Sequence, residues 1–557
     1  MIHFAWLLQL IYILKHLYTL WLQKLNNTCL QNNFYEIGAE KIRSRPFATK
    51  KSFDLKPILA RLLLLLQKTS SMITFLLSIV ALIAGYFLYG KFVERIFRID
   101  PSKLTPASTL ADGVDYVPMK WPKIFLIQFL NIAGLGPIFG AIAGAVWGPV
   151  AFVWIVFGAI FAGAVHDYMS GMMSLRMNGL SIHAIVGRYM GNGVKQFMSV
   201  FTVAMMVLVG AVFIMGPAKI LSGLTPGTIG VTTWATFIFM YYVLATMLPI
   251  DKLIGRIYPF FGFAMLFMAV GIGGMMVVKG LPVPELIPSN FVNMNADPGK
   301  FPIFPMLFVT IACGAISGFH STQSPLMARC ITNEKYGRRV FYGAMITEGL
   351  VALIWAAVAM SFFGGVRELN EVMATQKGNA AWVVNEISNS LLGRIGAVLA
   401  IIGVVAAPIT SGDTAFRSAR LIVADFFHFE QKTIKNRLIL TLPLFVIGFL
   451  LTQVDFSIIW RYMAWSNQTL ATIVLWTITI YLAAEQKNFW ITLVPAFFMT
   501  AVVSAYLLVA PEGFAINTFY GQISGICIAV ITVLWFMLWR NSLAKVKTAD
   551  IPINRNK

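Results

Sequence analysis

Apolar residues run in long, nearly unbroken blocks along most of this chain, and polar residues fall between the blocks instead of alternating within them. Blocks at 73–90, 148–165, 231–248, 258–278, 489–509 and 525–539 show the pattern. A helix of about twenty apolar residues crosses the hydrocarbon core of a bilayer, so the blocks predict membrane-spanning helices, not helices with one apolar stripe. Thirteen core spans are expected, near 73–90, 123–146, 148–172, 196–222, 231–249, 258–278, 302–325, 339–363, 391–414, 437–453, 456–482, 489–509 and 521–539. The fold class is an all-α polytopic membrane protein.

Two spans are interrupted. The second carries "NIAGLGP", Asn131 to Pro137, at mid-membrane. The seventh ends in "GAISGFHSTQSPLMARC", where Gly314, Gly318 and Pro325 bracket Ser317, His320, Ser321, Thr322, Gln323 and Ser324. Proline removes a backbone donor and glycine lets the backbone unwind. Freed backbone groups are tolerated at that depth only where they face protein or a watery cavity. Five spans separate the breaks, so the two helices run in opposite directions, as an inverted 5+5 repeat over about 123–278 and 302–482 requires. Transporters of that build bind substrate between two discontinuous helices. The expected substrate contacts are Asn131, Gly134, Gly136, Ser317, Gly318, His320, Thr322 and Gln323, joined by Asn467 from "WRYMAWSNQTLA". The competing reading is that Gly136/Gly140 and Gly314/Gly318 only allow close helix packing.

Further polar groups lie at membrane depth. "AGAVHDYMSG" places His166 and Asp167 in the third span, where a carboxylate is costly and a histidine can carry a proton. Neighbours on a helix diverge by about 100°, so contact between the two is not implied. "APITSGDTAFRSAR" brings Thr410, Ser411, Asp413 and Thr414, hard oxygens suited to a proton or small cation, although Asp413 could equally pair with Arg417. Glu348 is a single acid deep in the eighth span, a candidate for function or for a buried structural pair.

Composition agrees with the pattern: 58% hydrophobic, 12% charged, mean hydropathy +0.76. The net charge of +20 then reads as loops facing anionic lipid, not as a nucleic-acid surface. With the loop after the first span placed in the cytoplasm, cytoplasmic segments hold 26 Lys and Arg, and outside segments and span interiors hold 7. That bias predicts an outside N-terminus at Met72 and a cytoplasmic C-terminus with a tail at 541–557. Residues 1–71 conflict with it, carrying ten Lys and Arg on the outside. Either the functional chain starts at Met72, making the transporter domain 72–540, or an extra helix precedes a basic linker. No small-residue cleavage site marks a signal peptide. The four cysteines show no CxxC or Cys/His zinc spacing, and there is no P-loop, so no metal, cofactor or ATP motor is expected.

The stretches "NIAGLGPIFGAI", "GPVAFVWIVFGAIFAGAVHDYMSG", "TIACGAISGFHSTQSPLMAR", "APITSGDTAFRSAR" and "WRYMAWSNQTLA" resemble the carbon starvation protein A family, from about Met72 to the C-terminal spans. "AGAVHDY" and "GAISGFH" are its most specific blocks. The resemblance is to the shorter members. It implies a bacterial cytoplasmic-membrane transporter with a leucine-transporter-like fold, long members being associated with peptide uptake under carbon starvation and close relatives with proton-driven pyruvate uptake. Where the long members carry a histidine pair before the first break, this chain has Gln128 and Phe129.

The leading expectation is therefore a secondary active transporter, not an enzyme, importing peptides or else pyruvate with H+ or Na+. A channel is the second class. A membrane-embedded enzyme or sensor is the third, and no HExxH or paired catalytic acids support it.

Overall fold

The computed structural model describes residues 72–113, 115–247, 250–430 and 433–546. The expectations for 1–71, and for the tail from 547 onward, lie outside the described residues. The described part of the unit 62–557 is helical, with a single bridge between Met119 and Ile331 in place of any strand. In chain order the helices used below are α1 Ile73–Phe97, α2 Trp121–Ala133, α3 Gly136–Ala145, α4 Val150–Arg176, α5 Ile182–Met190, α6 Asn192–Leu224, α7 Val231–Met247 and α8 Ile250–Lys279. They continue with α9 Gly318–Ala328, α10 Glu334–Phe362, α11 Ala380–Leu399, α12 Ala406–Phe426, α13 Ile434–Leu451, α14 Phe456–Ala484, α15 Trp490–Val509 and α16 Thr518–Arg540.

Eight of the described helices are long and apolar enough to cross a bilayer, nine when the bent pair α2–α3 counts as one span. The other expected spans fall on the shorter helices α7 and α13 and on segments that break, 302–325 and 391–414. The protein is an all-α polytopic membrane protein. Helices α4, α10 and α14 lie inside the bundle, with 83%, 78% and 78% of their apolar windows buried. At the rim, α1 and α16 bury only 28% and 22%. Their outward Val80, Leu88, Ile531 and Leu538 suit contact with acyl chains, which accept apolar side chains at no cost.

Both expected breaks are present, and they touch. The chain bends by 54° between α2 and α3. Gly134 sits there at φ 46°, on the left-handed side that side-chain-bearing residues avoid. A Cβ on Gly136 would fall inside the Cys313 side chain. In the seventh span the helix stops after Thr310 and restarts at Gly318, with Gly314 at φ 92°. The unwound stretch is therefore 311–317. His320 to Ser324, expected within it, lie instead on the opening turns of α9, and Pro325 sits inside that helix. Helix α9 is held among α2, α4 and α14.

Carbonyls at these irregular points find side-chain donors. Trp154 Nε1 donates to Ile311 O at 2.9 Å and Gln468 Nε2 to Phe308 O at 3.1 Å. Ser411 Oγ lies 3.3 Å from both Leu130 O and Asn131 O in the last turn of α2. A π-turn at Gly158–Gly163 in α4 receives Tyr342 Oη on Ile160 O at 3.0 Å. Pro217 deprives Phe213 O of its helical donor, and the Tyr242 hydroxyl takes its place at 3.0 Å.

Two polar tethers fix the helix ends. Glu285, in the loop after α8, accepts the amides of Ile73 and Thr74 at 2.7 and 2.9 Å, and also the Thr74 hydroxyl, so it caps the exposed donors at the start of α1. Arg176 at the end of α4 grips Glu334 at the start of α10 through two 2.9 Å hydrogen bonds.

A Gly136→Leu variant will give a lower melting temperature and less folded protein in detergent than wild type. Gly274→Leu, where a Cβ meets nothing within 4 Å, will match wild type. Equal melting of the two variants would show that the breaks do not depend on their mutual contact.

Candidate functional site

The centre of the site is a chain of four ionisable side chains, each fully buried: His166 and Asp167 from α4, His320 from α9 and Glu348 from α10. His166 Nδ1 lies 2.8 Å from Asp167 Oδ1, and His320 Nδ1 lies 2.8 Å from Asp167 Oδ2. His320 Nε2 lies 3.3 Å from Glu348 Oε2. Adjacent helix positions do diverge, yet the His166 ring folds back onto its neighbour, so one carboxylate receives a histidine on each oxygen.

The protonation state of Asp167 sets the tautomers of both histidines. An ionised Asp167 can only accept, so Nδ1 of each histidine carries the proton. Neutral His320 would then present the lone pair of Nε2 to a carboxylate oxygen of Glu348, acceptor against acceptor. Neither oxygen of Glu348 completes a hydrogen bond among the described residues. A proton, or another positive charge, between Nε2 and Oε2 relieves that opposition. The group is fully buried, which raises the cost of any such opposition.

Around this chain stand the residues expected to meet substrate. Asn131 is buried at the end of α2, with neither its amide oxygen nor its amide nitrogen hydrogen-bonded among the described residues. Gly134 and Gly136 form the first break. Ser317 and Gly318 close the second break against α14: a Cβ on Gly318 would press into the Asn467 backbone. Asn467 Oδ1 accepts the Phe319 amide at 2.7 Å while its Nδ2 donates to Ser317 Oγ at 2.9 Å. It thus acts as the N-cap of α9, supplied from another helix. Thr322 turns its hydroxyl back to Phe319 O at 2.7 Å, and Gln323 Nε2 donates to Thr322 Oγ1 at 3.0 Å, leaving Gln323 Oε1 unbonded among the described residues. Gln128 Nε2 reaches Ser324 Oγ at 3.3 Å, joining the two broken spans once more.

The oxygen-rich segment of α12 lies against the first break through Ser411 but is separate from the His–Asp–His–Glu chain. Thr410 and Thr414 donate to Ala407 O and Ser411 O at 2.7 and 2.8 Å, within their own helix. Asp413 lies 3.6 Å from Arg417, four residues on. Tyr258 and Tyr242 pack over the segment, their hydroxyls 3.4 Å from Thr410 O and 3.2 Å from Pro408 O.

Glu348 was legible only as one acid in an apolar span; nothing in the spacing ties it to His320. The half-buried Cys313 carried no signal beyond its place beside the second break.

The family model described as carbon starvation protein CstA matches residues 70–233 and 227–394. An uncharacterized membrane protein of Haemophilus influenzae is 44% identical over 55% of this chain and 96% of its own length. The peptide transporter CstA of Bacillus subtilis is 26% identical over 85% of this chain and 98% of its own length. The pyruvate/proton symporter BtsT of Escherichia coli is 28% identical over 51% of this chain and 48% of its own length.

Replacing Asn467 by alanine removes the α9 cap. The loss will be about 1–2 kcal/mol, read as a lower midpoint in denaturation of the detergent-solubilised protein. An unchanged midpoint would mean that the Phe319 amide finds another acceptor.

Proposed function

The chain belongs to the carbon starvation protein CstA family, and from that premise we propose that it is a secondary active transporter importing peptides across the bacterial cytoplasmic membrane, driven by protons. The observation that carries the reading is the meeting of two broken helices beside a buried His166–Asp167–His320–Glu348 chain. Broken helices at mid-membrane are costly unless they line a site. Buried ionisable groups inside a bundle mark ion pathways by default.

In this reading the inverted repeats are about 123–278 and 302–482, with the leucine-transporter-like arrangement, and the transporter domain is 72–540. The start of α1 at Ile73 is outside and the end of α16 cytoplasmic. A proton held between His320 and Glu348 removes the clash of acceptors and favours the closed packing of α9 on α4 and α10. Its departure to the cytoplasm restores the clash and loosens α9. The unbonded amide of Asn131 and the oxygen of Gln323 supply polar contacts to a peptide. Thr410, Ser411, Asp413 and Thr414 form a second coupling segment, next to the first break.

A second reading, pyruvate uptake, rests on the relative named a pyruvate/proton symporter. A monocarboxylate would use the same break but only one of the amides.

Proteoliposomes holding the full-length chain decide between them. Dipeptide uptake that rises with an inward proton gradient and is not displaced by pyruvate bears out the first reading. Gradient-driven pyruvate entry indifferent to dipeptides replaces it with the second, and no uptake of either sinks both. His320→Ala and Glu348→Gln will each lower uptake by at least about tenfold, equivalent to ~1.4 kcal/mol, at normal levels of folded protein. Full activity in either variant would remove that residue from the site. Asp413→Asn will shift the dependence on Na+ and H+; an unaltered ion response would leave Asp413 structural.

A further inference from the structure

Cys313, His320 and Glu348 bring a thiol, an imidazole nitrogen and a carboxylate together, with their ligand atoms all within 4.8 Å of one another. They come from the second break, the first turn of α9 and the middle of α10, so no zinc-finger spacing announces them. We infer that this trio is a binding site for a divalent transition metal of the zinc type, and that metal bound there holds the second break shut and inhibits transport.

The donor set is what zinc selects: thiolate, imidazole and carboxylate, with one position left for water or a substrate oxygen. Nitrogen and oxygen ligands each about 2.0–2.1 Å from zinc at a tetrahedral angle stand roughly 3.3 Å apart. The His320 Nε2 to Glu348 Oε2 separation is 3.3 Å. The thiol lies 3.6 Å from Ser317 Oγ and 3.7 Å from Asn467 Nδ2, beside the His320 imidazole.

The surroundings are prepared as well. Asp167 accepts His320 Nδ1–H at 2.8 Å, which fixes the ring and the tautomer that leaves Nε2 free to coordinate. A carboxylate behind a ligating histidine is the commonest outer support of a metal site. His320 and Glu348 are fully buried. A divalent ion with one thiolate and one carboxylate is neutral overall, which suits a buried site. The thiolate disfavours Mg2+ and Ca2+, which take oxygen ligands.

The inhibitory half rests on the transport reading above; the binding half does not. The test is cobalt titration of the purified full-length protein in detergent, followed by absorption. One Co2+ per chain, with a near-ultraviolet thiolate-to-cobalt band displaced by Zn2+ and not by excess Mg2+, is expected. The isosteric Cys313→Ser, checked for a wild-type melting temperature, will lose the band. Asp167→Asn will weaken binding by about 10–100-fold. No band in wild type, or a band that survives Cys313→Ser, overturns the site. In proteoliposomes Zn2+ will cut wild-type uptake, a chelator will restore it, and the uptake of Cys313→Ser will be insensitive. Wild-type uptake unaffected at zinc levels that displace cobalt overturns the inhibition. Absence of any uptake refutes the transport reading alone, because the cobalt spectra still decide the site.

Discussion

A bilayer core offers no water to a backbone group that has lost its helical partner, and this constraint organises the whole protein. Several irregular points are matched to donors from elsewhere in the bundle: Trp154 for Ile311, Gln468 for Phe308, Ser411 for the end of α2, Tyr242 for the carbonyl freed by Pro217. The broken helices are therefore not loose. They are stitched into α4, α12 and α14, and the donors lie far away in sequence, so a break can form only when most of the bundle has assembled.

The buried ionisable chain depends on the same scaffold. Asp167 receives two histidines because α9 restarts at Gly318, pressed against α14 and capped by Asn467, which turns His320 toward α4 on one side and Glu348 on the other. A shift of α9 by a fraction of a turn would part His320 from both carboxylates. Charge and helix position are thus coupled through a single side chain.

Much of this was legible in the sequence, for identifiable reasons. Hydropathy fixes most spans because the bilayer demands a minimum length of apolar helix, and glycine with proline marks both breaks because few other residues tolerate them. The extent of the second break was misjudged: polar residues after Gly318 suggest unwinding, but their hydroxyls bond back within α9, as Ser321 and Ser324 do to Gly318 O and His320 O. Convergence was not legible. His166–Asp167 and His320 are some 150 residues apart, and no local pattern says that α4 faces α9. Glu348 stood out by cost, as a lone acid in an apolar span, while its partner depended on tertiary packing. For the same reason Cys313 looked like an ordinary apolar-segment cysteine.

Gly136 against Cys313 leaves room for one side chain where the two breaks meet. In the course of evolution these positions would be expected to share a fixed volume: a relative that gains a methyl at the first would hold a glycine at the second, and each change alone would be selected against. Such a pair should therefore drift together or not at all, and its joint identity would separate lineages more sharply than either residue does alone.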